Sequence, residues 1–138
     1  MIATRASAMT VGHTPLVTIP PYATLLDVAG LLYEHGIGAV AVMGPHGLEG
    51  VVSERDIIKA VAHKVDLATA AVEDHLSRPV MTVRPDDTVL DVALRMLDAA
   101  TRHLPVVDDL DRPQGMVSLR DLLRPLVLQA MTPADSSS

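Results

Sequence analysis

A serine and an aspartate recur three residues apart in two nearly identical heptapeptides of the chain. Residues 51–57 read VVSERDI and residues 116–122 read MVSLRDL, so Ser53 and Asp56 match Ser118 and Asp121. A helix that starts after the serine presents backbone N–H groups and the positive end of its dipole, which attract phosphate. An aspartate carboxylate one turn on can accept hydrogen bonds from two vicinal hydroxyls, as on a ribose. The pair therefore suits a ligand that carries a sugar and a phosphate held apart.

An arginine lies between these two residues in both copies, as Arg55 and Arg120. Its guanidinium either offsets the repulsion between the carboxylate and a phosphate or pairs with a neighbouring acid. The same spacing is also that of an ordinary helix cap, in which the side chains satisfy the helix's own amides. Thr24 and Asp27 have this spacing too, and we assign them no ligand role. Binding and capping therefore both remain open for the serine and aspartate pairs.

The two heptapeptides belong to a longer internal repeat. Residues 15–58 align with residues 79–123 when one extra residue is allowed near Leu110, and 14 of the 44 aligned positions are identical. Two copies are too few for a solenoid, so we expect a pseudo-symmetric pair in which each half covers apolar surface of the other.

Each copy has the same order of local signals. Thr24 or Thr88 is an N-cap followed by apolar residues at helical spacing, and Gly36 suits a left-handed C-cap. Two short apolar runs joined by turn residues then predict a hairpin. Ser53 or Ser118 caps a second helix, which we expect to kink or restart at Pro125 in the second copy.

Composition and charge exclude several classes of protein. The net charge of −6 argues against a nucleic-acid binder, and two Tyr with no Phe or Trp cannot form a base-stacking platform. The absence of cysteine fits a reducing cytoplasm, and no apolar run approaches the length that spans a bilayer. We therefore expect a cytoplasmic protein that contacts neither nucleic acid nor membrane.

No pattern in the sequence indicates catalysis or a resident metal. No nucleophile stands beside a plausible base, and no phosphate loop or dinucleotide fingerprint is present. The six histidines lack metal-ligand spacing, and we interpret all but His103 as surface or packing residues. The acidic residues 108–111 lack the ligand count and glycine of a calcium loop, which favours a solvated hairpin turn. We expect no enzyme activity and no metal.

The motifs HGIGAVAV (35–42) and RHLPVV (102–107), with GVVSERD and GMVSLRD, give each copy a resemblance to a cystathionine-β-synthase (CBS) domain. The resemblance covers residues 8 to about 128 and is to stand-alone tandem pairs, often called Bateman modules. It implies an α/β (α+β) fold of two β-α-β-β-α repeats that pack through their sheets about a pseudo-two-fold axis. It also implies clefts between the repeats and a disc-like homodimer formed through the helices.

The resemblance further implies a ligand and the residues that hold it. Many members bind an adenosine-containing compound such as AMP, ADP, ATP or S-adenosylmethionine, with no cofactor required. The implied ribose contacts are Asp56 and Asp121, and the implied phosphate contacts are Ser53 and Ser118, helped by the two arginines. The candidates for the adenine pocket are Thr18, Ile37, Ala39, Thr82, His103 and Pro105.

The first copy departs from the family pattern, because Ala41 stands where the second copy has Pro105. If one site is occupied, we favour the one that uses Ser118, Asp121 and His103.

The predicted domains are repeat 1 at residues 8–62, a linker at 63–77 with a short helix that Thr69 caps, and repeat 2 at 78–128. Residues 1–7 and 129–138 are predicted to be terminal segments, the tail being disordered. The leading hypothesis is a regulatory sensor in which an adenosine-containing ligand controls the arrangement of the dimer or of an unidentified partner. The alternative is a ligand-free dimerisation or docking module.

Overall fold

A computed structural model describes residues 7, 8, 12, 15–76 and 81–131. The chain divides into two compact units, one of residues 16–80 and the other of residues 81–138 together with residues 1–15. The first contains the first repeat and the second contains the second repeat.

The first unit is a three-stranded sheet with helices packed against it. Its elements are β1 (Thr18–Ile19), α1 (Leu25–His35), β2 (Ala39–Gly44), β3 (Gly47–Ser53), α2 (Glu54–Ala62) and a 3-10 helix (Val72–Asp74). The strand order is β1-β2-β3, with β1 parallel to β2 and β2 antiparallel to β3. Apolar side chains of the strands and helices, such as Val28, Val40 and Val52, form its buried core.

The second unit repeats this order with one strand reduced. It contains α3 (Val89–Ala99), β4 (His103–Val107), β5 (Pro113–Ser118) and α4 (Leu119–Met131). The strands β4 and β5 form an antiparallel hairpin, and a single parallel bridge between Val83 and Val106 stands where the first unit has β1. The α/β class and the repeated β-α-β-β-α order are therefore confirmed.

The caps predicted for α1 are present. The Thr24 hydroxyl accepts a hydrogen bond from the Asp27 backbone N–H at 3.1 Å, and Asp27 accepts one from the Thr24 N–H at 3.0 Å. Gly36 ends the helix at φ 62°, a left-handed conformation that costs little without a Cβ. In the second repeat the same position is Ala100, at φ 52°.

Two short segments each pack on the repeat that does not follow them in the sequence. Ala71 bridges to Thr24, and the Val72 backbone N–H donates to the Ala23 carbonyl at 2.8 Å, so this segment packs on the first repeat. It precedes the second repeat in sequence.

The corresponding segment 64 positions earlier packs on the second repeat. Ser7 bridges to Thr88, and the Ala8 backbone N–H donates to the Asp87 carbonyl at 2.9 Å. Ala8 and Val72 are both fully buried, each in the core of the unit that it joins. The two repeats therefore exchange their leading segments.

Two local predictions are wrong. The helix in the linker is the 3-10 helix, whose N-cap position is Ala71, and Thr69 donates its hydroxyl to the Asp66 carbonyl instead of capping a helix. The helix α4 continues through Pro125, so it does not restart there, while a kink at this proline stays a prediction. Pro125 is the seventh residue of α4, beyond the four N–H groups that lack partners at a helix start, so α4 continues without the bond that an N–H at this position would donate to the Asp121 carbonyl.

The helix α4 extends to Met131, beyond the predicted end of repeat 2. Of the predicted terminal segments 1–7 and 129–138, residues 1–6 and 132–138 lie outside the described residues. Among the residues that are described, no helix is both long and apolar enough to cross a membrane.

We predict that replacing Ala100 with Gly stabilises the fold. The left-handed backbone at this position strains an L-residue with a side chain, so relief of that strain should raise the free energy of unfolding by about 0.5–1 kcal/mol. Urea denaturation measures the change. The matched control is Ala99→Gly at the last residue of α3, which has no left-handed backbone to relieve and should therefore not gain stability. A loss of stability in Ala100→Gly would contradict the strain argument.

Candidate functional site

The first candidate pair lies where β3 becomes α2. Ser53 has an extended backbone and is the N-cap of α2, with Asp56 in its first turn. The Ser53 backbone N–H and hydroxyl both donate to Asp56 Oδ2, at 2.8 and 3.1 Å. The Asp56 backbone N–H in turn approaches the Ser53 hydroxyl oxygen at 3.4 Å. The pair therefore forms a capping box, and both side chains are half-buried.

The second candidate pair has the same geometry where β5 becomes α4. The Ser118 backbone N–H donates to Asp121 Oδ2 at 2.8 Å, and the Asp121 N–H donates to the Ser118 hydroxyl at 3.1 Å. The cap that the sequence left open as an alternative is thus present in both repeats. A cap does not exclude a ligand, because each carboxylate has a second oxygen.

The first helical amide after each serine is already bonded. The Glu54 backbone N–H donates to the Gly38 carbonyl at 2.9 Å, and the Leu119 N–H donates to the Arg102 carbonyl at 2.7 Å. The next amide along, that of Arg55 in α2, has no partner within the described part of the chain. A phosphate at this helix start would therefore meet one free backbone donor instead of several.

Several of the predicted adenine contacts in the first repeat share one face of its sheet. Ala39 is paired with Ser53 in the β2–β3 hairpin, and Thr18 is paired with Ala41. Ile19, Val40 and Val42 point into the core that the helices cover. Because side chains alternate along a strand, Thr18, Ala39, Ala41 and Ser53 point to the opposite face of the sheet. Ser53 thus has the predicted adenine residue Ala39 as its direct neighbour.

The second repeat places its residues in the same way. His103 is paired with Ser118, and Pro105 follows two residues along the same strand. Leu104 and Val106 are in the core of the unit, so His103 and Pro105 point to the other face, as does Thr82 before the bridge at Val83.

The predicted adenine residues differ in accessibility. Ala39 and Pro105 are buried, Thr82 and His103 are half-buried, and Thr18 is exposed. Ile37 does not share the sheet face of Thr18 and Ala39, because its side chain packs against the core that α1 and α2 cover.

Arg55 and Arg120 are exposed, and within the described residues neither forms an ion pair. The structure therefore does not use them to pair with a neighbouring acid. Both guanidinium groups are available to an anion from solvent.

An opening of about 270 Å³ lies beside Asp56 in the first unit. It is lined by Asp56, Lys59, Ala60, His63, Val65, Asp74, His75 and Leu76. The charged side chains among these are Lys59 and the two acids Asp56 and Asp74. The opening therefore places one ammonium group near the candidate ribose carboxylate and a second acid.

His63 and His75, which the sequence predicts to be surface or packing residues, both line this opening. Asp56, Lys59 and His63 lie three and four residues apart, a spacing that places them on one side of a helix. That spacing was a signal available in the sequence for Lys59 and His63. His75 arrives from the linker, which only the tertiary structure brings here.

The acidic turn of the second repeat is a closed network of hydrogen bonds. Asp108 Oδ1 accepts from the backbone N–H groups of Leu110 and Arg112, both at 2.9 Å, and Oδ2 accepts from Arg112 Nε at 2.9 Å. The backbone bond from Arg112 is the main reason that the pKa of Asp108 lies below its ordinary value. In the described parts of the chain, no three histidine or acidic side chains converge on a possible metal position.

The family model described as the CBS domain matches residues 8–63 and 72–128. An uncharacterised protein of Methanopyrus kandleri is 33% identical over 116 residues, which are 83% of this chain and 59% of that protein. The chain therefore spans less than two thirds of the length of this relative.

Two solved structures share the fold and hold ligands. The CBS domain pair of protein MJ0100 in complex with 5′-methylthioadenosine and S-adenosyl-L-methionine has a TM-score of 0.81 and 27% identity, covering 90% of this chain and 98% of that one. The CBS domain protein PAE2072 from Pyrobaculum aerophilum complexed with AMP has a TM-score of 0.79 and 29% identity, covering 92% and 100%.

We predict that acid weakens the turn around Asp108. Its lowered pKa means that the ionised carboxylate stabilises the folded chain above the ordinary value of 3.8, and that this contribution is lost as the pH falls through the lower folded pKa. Thermal melts between neutral pH and about pH 3 measure it. Asp108→Asn should reduce this acid dependence, whereas Asp109→Asn, whose fully exposed side chain makes only a long ion pair to Arg84, should leave it nearly unchanged. Equal acid dependence in Asp108→Asn and the unmodified chain would contradict the prediction.

Proposed function

Since the chain belongs to the CBS-domain family, we propose that it is a regulatory module that binds an adenosine-containing ligand. The proposed ligands are AMP, ADP, ATP and S-adenosylmethionine, and no cofactor and no catalytic step are assigned. The proposal extends to a homodimer whose arrangement, or whose hold on a regulated partner, responds to the ligand. The absence of cysteine supports a cytoplasmic location.

The observation that carries the proposal is the position of the serine and aspartate of each repeat. Ser53 lies on a sheet face beside Ala39, and its capping partner Asp56 lies at the rim of an opening. A ligand that lays its base along the strand would present its sugar to the carboxylate and its phosphate to the helix start. The relatives that hold AMP, S-adenosyl-L-methionine and 5′-methylthioadenosine support adenosine as the shared part.

The carboxylate of Asp56 can serve the cap and the sugar together. One oxygen, Oδ2, accepts both bonds from Ser53, and the cap makes no use of Oδ1. A charged acceptor holds hydroxyl donors more strongly than a neutral one, so ionised Asp suits a ribose diol.

The opening lies in the first repeat, and Asp56 is the predicted site residue among those that line it. The volume of the opening lies just below the range of about 300–1,000 Å³ typical of small-molecule pockets, so it accommodates part of a nucleotide. Lys59 on its lining would attract the anionic end of such a ligand. The sequence favoured Ser118, Asp121 and His103, and that preference stays a prediction for the second repeat.

A second function is favoured by the caps themselves. If the only role of Ser53 and Asp56 is to start α2, the repeats need no ligand, and the chain is a dimerisation or docking module. The capping box formed by Thr24 and Asp27, to which we assign no ligand role, supports this second function.

We predict that an adenosine compound raises the melting temperature, and that Asp56→Asn or Asp121→Asn reduces the shift. A ligand at a hundred times its dissociation constant should add about 2.7 kcal/mol of stability. Loss of a charged acceptor should weaken binding by about 1.5–3 kcal/mol, or roughly tenfold to a hundredfold. Melts are recorded with AMP, ADP, ATP, S-adenosylmethionine and, as a non-adenosine control, GMP.

Asp27→Asn is the matched control, because it alters an equivalent capping box with no proposed ligand contact. Its melting temperature without ligand should fall about as much as that of Asp56→Asn, and its ligand shift should equal that of the unmodified chain. If no adenosine compound shifts the unmodified chain, the sensor proposal is wrong and the docking function stands. If both Asp56→Asn and Asp121→Asn keep the full shift, the ligand lies elsewhere on the protein.

A further inference from the structure

The segment that carries Thr82 joins the sheet of the second repeat through a single bridge. The Val83 N–H donates to the Pro105 carbonyl at 3.0 Å, and the Val83 carbonyl accepts from the Val107 N–H at 2.9 Å. Because backbone groups of successive residues in an extended segment point to opposite sides, the Thr82 carbonyl and the Arg84 N–H point away from β4. Both groups therefore lie at the open edge of the sheet, where no further strand can pair with them.

Two side chains occupy this edge in place of a strand. Arg95 of α3 donates from Nη1 to the Thr82 carbonyl at 3.0 Å, and Asp87 Oδ2 accepts from the Arg84 N–H at 2.8 Å. The two side chains also contact each other, since Arg95 Nη1 lies 3.5 Å from the same Asp87 Oδ2. We call Arg95 and Asp87 the edge clamp. It bonds both outward backbone groups of the segment.

Other charged groups lie near the edge clamp. Asp91 and Asp98 lie four residues before and three residues after Arg95 on α3, and within the described ranges neither forms an ion pair with it. The guanidinium of Arg84 contacts the turn at residues 108–111. The edge clamp therefore consists of one cation and one anion, and both are directed at the backbone of the segment.

The first repeat cannot form an edge clamp. The residues that align with Arg84, Asp87 and Arg95 are Pro20, Ala23 and Leu31. Pro20 has no N–H to donate, and Ala23 and Leu31 pack against the apolar core instead. The two repeats therefore hold equivalent segments in different ways, by strand pairing and apolar packing in the first and by charged side chains in the second.

Thr82 is one of the predicted contacts for adenine. Because Val83 is in the core, the neighbouring Thr82 side chain points to the sheet face that carries His103 and Pro105. The printed contact between Arg95 and Thr82 is with the backbone carbonyl. Arg95 therefore fixes the backbone from which the Thr82 side chain extends, and it acts on a ligand through that residue.

We propose that Arg95 and Asp87 are positioning residues of the second repeat, where the edge clamp holds Thr82 against the base of an adenosine-containing ligand. This inference rests on the proposed function and adds to it two residues that fix a ligand contact. Without the edge clamp the segment keeps its binding position for only part of the time, and the apparent dissociation constant rises by the inverse of that fraction. A fraction between a third and a tenth weakens binding by about threefold to tenfold.

Ligand titration of Arg95→Met tests the proposal. The probe is whichever of AMP, ADP, ATP and S-adenosylmethionine raises the melting temperature of the unmodified chain most, and calorimetry well below every melting temperature gives the dissociation constant. Arg95→Met should weaken binding by about threefold to tenfold. Arg95→Lys should weaken it less, because an ammonium group can still donate to the Thr82 carbonyl. Lys64→Met removes the same charge from the first unit and should leave the dissociation constant unchanged.

Combination with the ligand-contact variants separates positioning from a general loss of stability. In Asp56→Asn, which leaves the second-repeat contact in place, added Arg95→Met should lower the affinity by the same factor as in the unmodified chain. In Asp121→Asn it should not lower the affinity that remains, because both changes act on one site. An equal loss in both combinations, or full affinity in Arg95→Met alone, would overturn the inference.

The edge clamp is partly exposed, with 46% of the Arg95 side chain and 20% of the Asp87 side chain open to solvent. A partly exposed ion pair contributes little to the free energy of unfolding, so Arg95→Met should keep the circular dichroism spectrum of the unmodified chain. If it does not fold, Arg95→Lys and Asp87→Asn carry the test. Asp87→Asn keeps an acceptor for the Arg84 N–H and loses the charge, so it should weaken binding in the same direction. Full affinity in both would contradict the proposal.

Hydrogen exchange tests the edge clamp without a ligand. The amides of Val83 and Val107, which pair the segment with β4, should exchange about threefold or more faster in Arg95→Met. The amide of Ala41, which donates to the Val17 carbonyl at 3.1 Å in the first repeat, is the internal control and should exchange at its original rate. Unchanged exchange at Val83 and Val107 would show that the edge clamp does not hold the segment.

The failure of this inference is distinguishable from that of the proposed function. If no adenosine compound binds the unmodified chain, both are wrong. If a compound binds and Arg95→Met keeps the full affinity, the proposed function stands and the positioning role is wrong.

Discussion

The fold and the proposed site both depend on the hydrogen bonds that let an extended strand become a helix within one residue. At each such junction a serine has the extended backbone of the hairpin and also caps the helix. Its N–H group is bound by the aspartate of the first turn at 2.8 Å in both repeats. Loss of a typical N-cap lowers the stability of the fold by about 1 kcal/mol. The serine and aspartate pair therefore contributes to stability whether or not a ligand is present.

Because of this double use, a substitution at Asp56 alters the cap as well as the proposed ligand contact, and the two effects are separated only by comparison with a second cap. One oxygen of the Asp56 carboxylate accepts the hydrogen bonds of the cap, and the other is proposed to accept hydrogen bonds from a ribose. A ligand would therefore tighten an element that already exists instead of ordering a new one. The capping box of Thr24 and Asp27 has the same bonds without the adjacent sheet face and opening, which makes it the natural reference for the cap alone.

The two repeats agree where they face their own cores and differ where they face outward. Buried positions keep their apolar character in both copies, as Val28 and Val92 or Val52 and Val117 show. The exposed side of the first helix changes from glycine to leucine at positions 30 and 94, and the opening beside Asp56 is lined by His63, where the second repeat has Leu128. Packing restricts the core to similar volumes, whereas exposed positions are free to diverge in the surfaces that they offer to ligands and to other chains.

The sequence by itself determined the features that depend on neighbouring residues. The repeat, the caps at Thr24 and Ser53, the left-handed turn at Gly36 and the two hairpins were all predictable, because each follows from spacings of a few residues. The sequence also identified the family. It did not reveal that Ala8 packs with the second repeat and Val72 with the first, or that His75 lies beside Asp56. Those positions are set by contacts between segments far apart in the chain, where burial of apolar side chains selects one partner among several that local patterns allow.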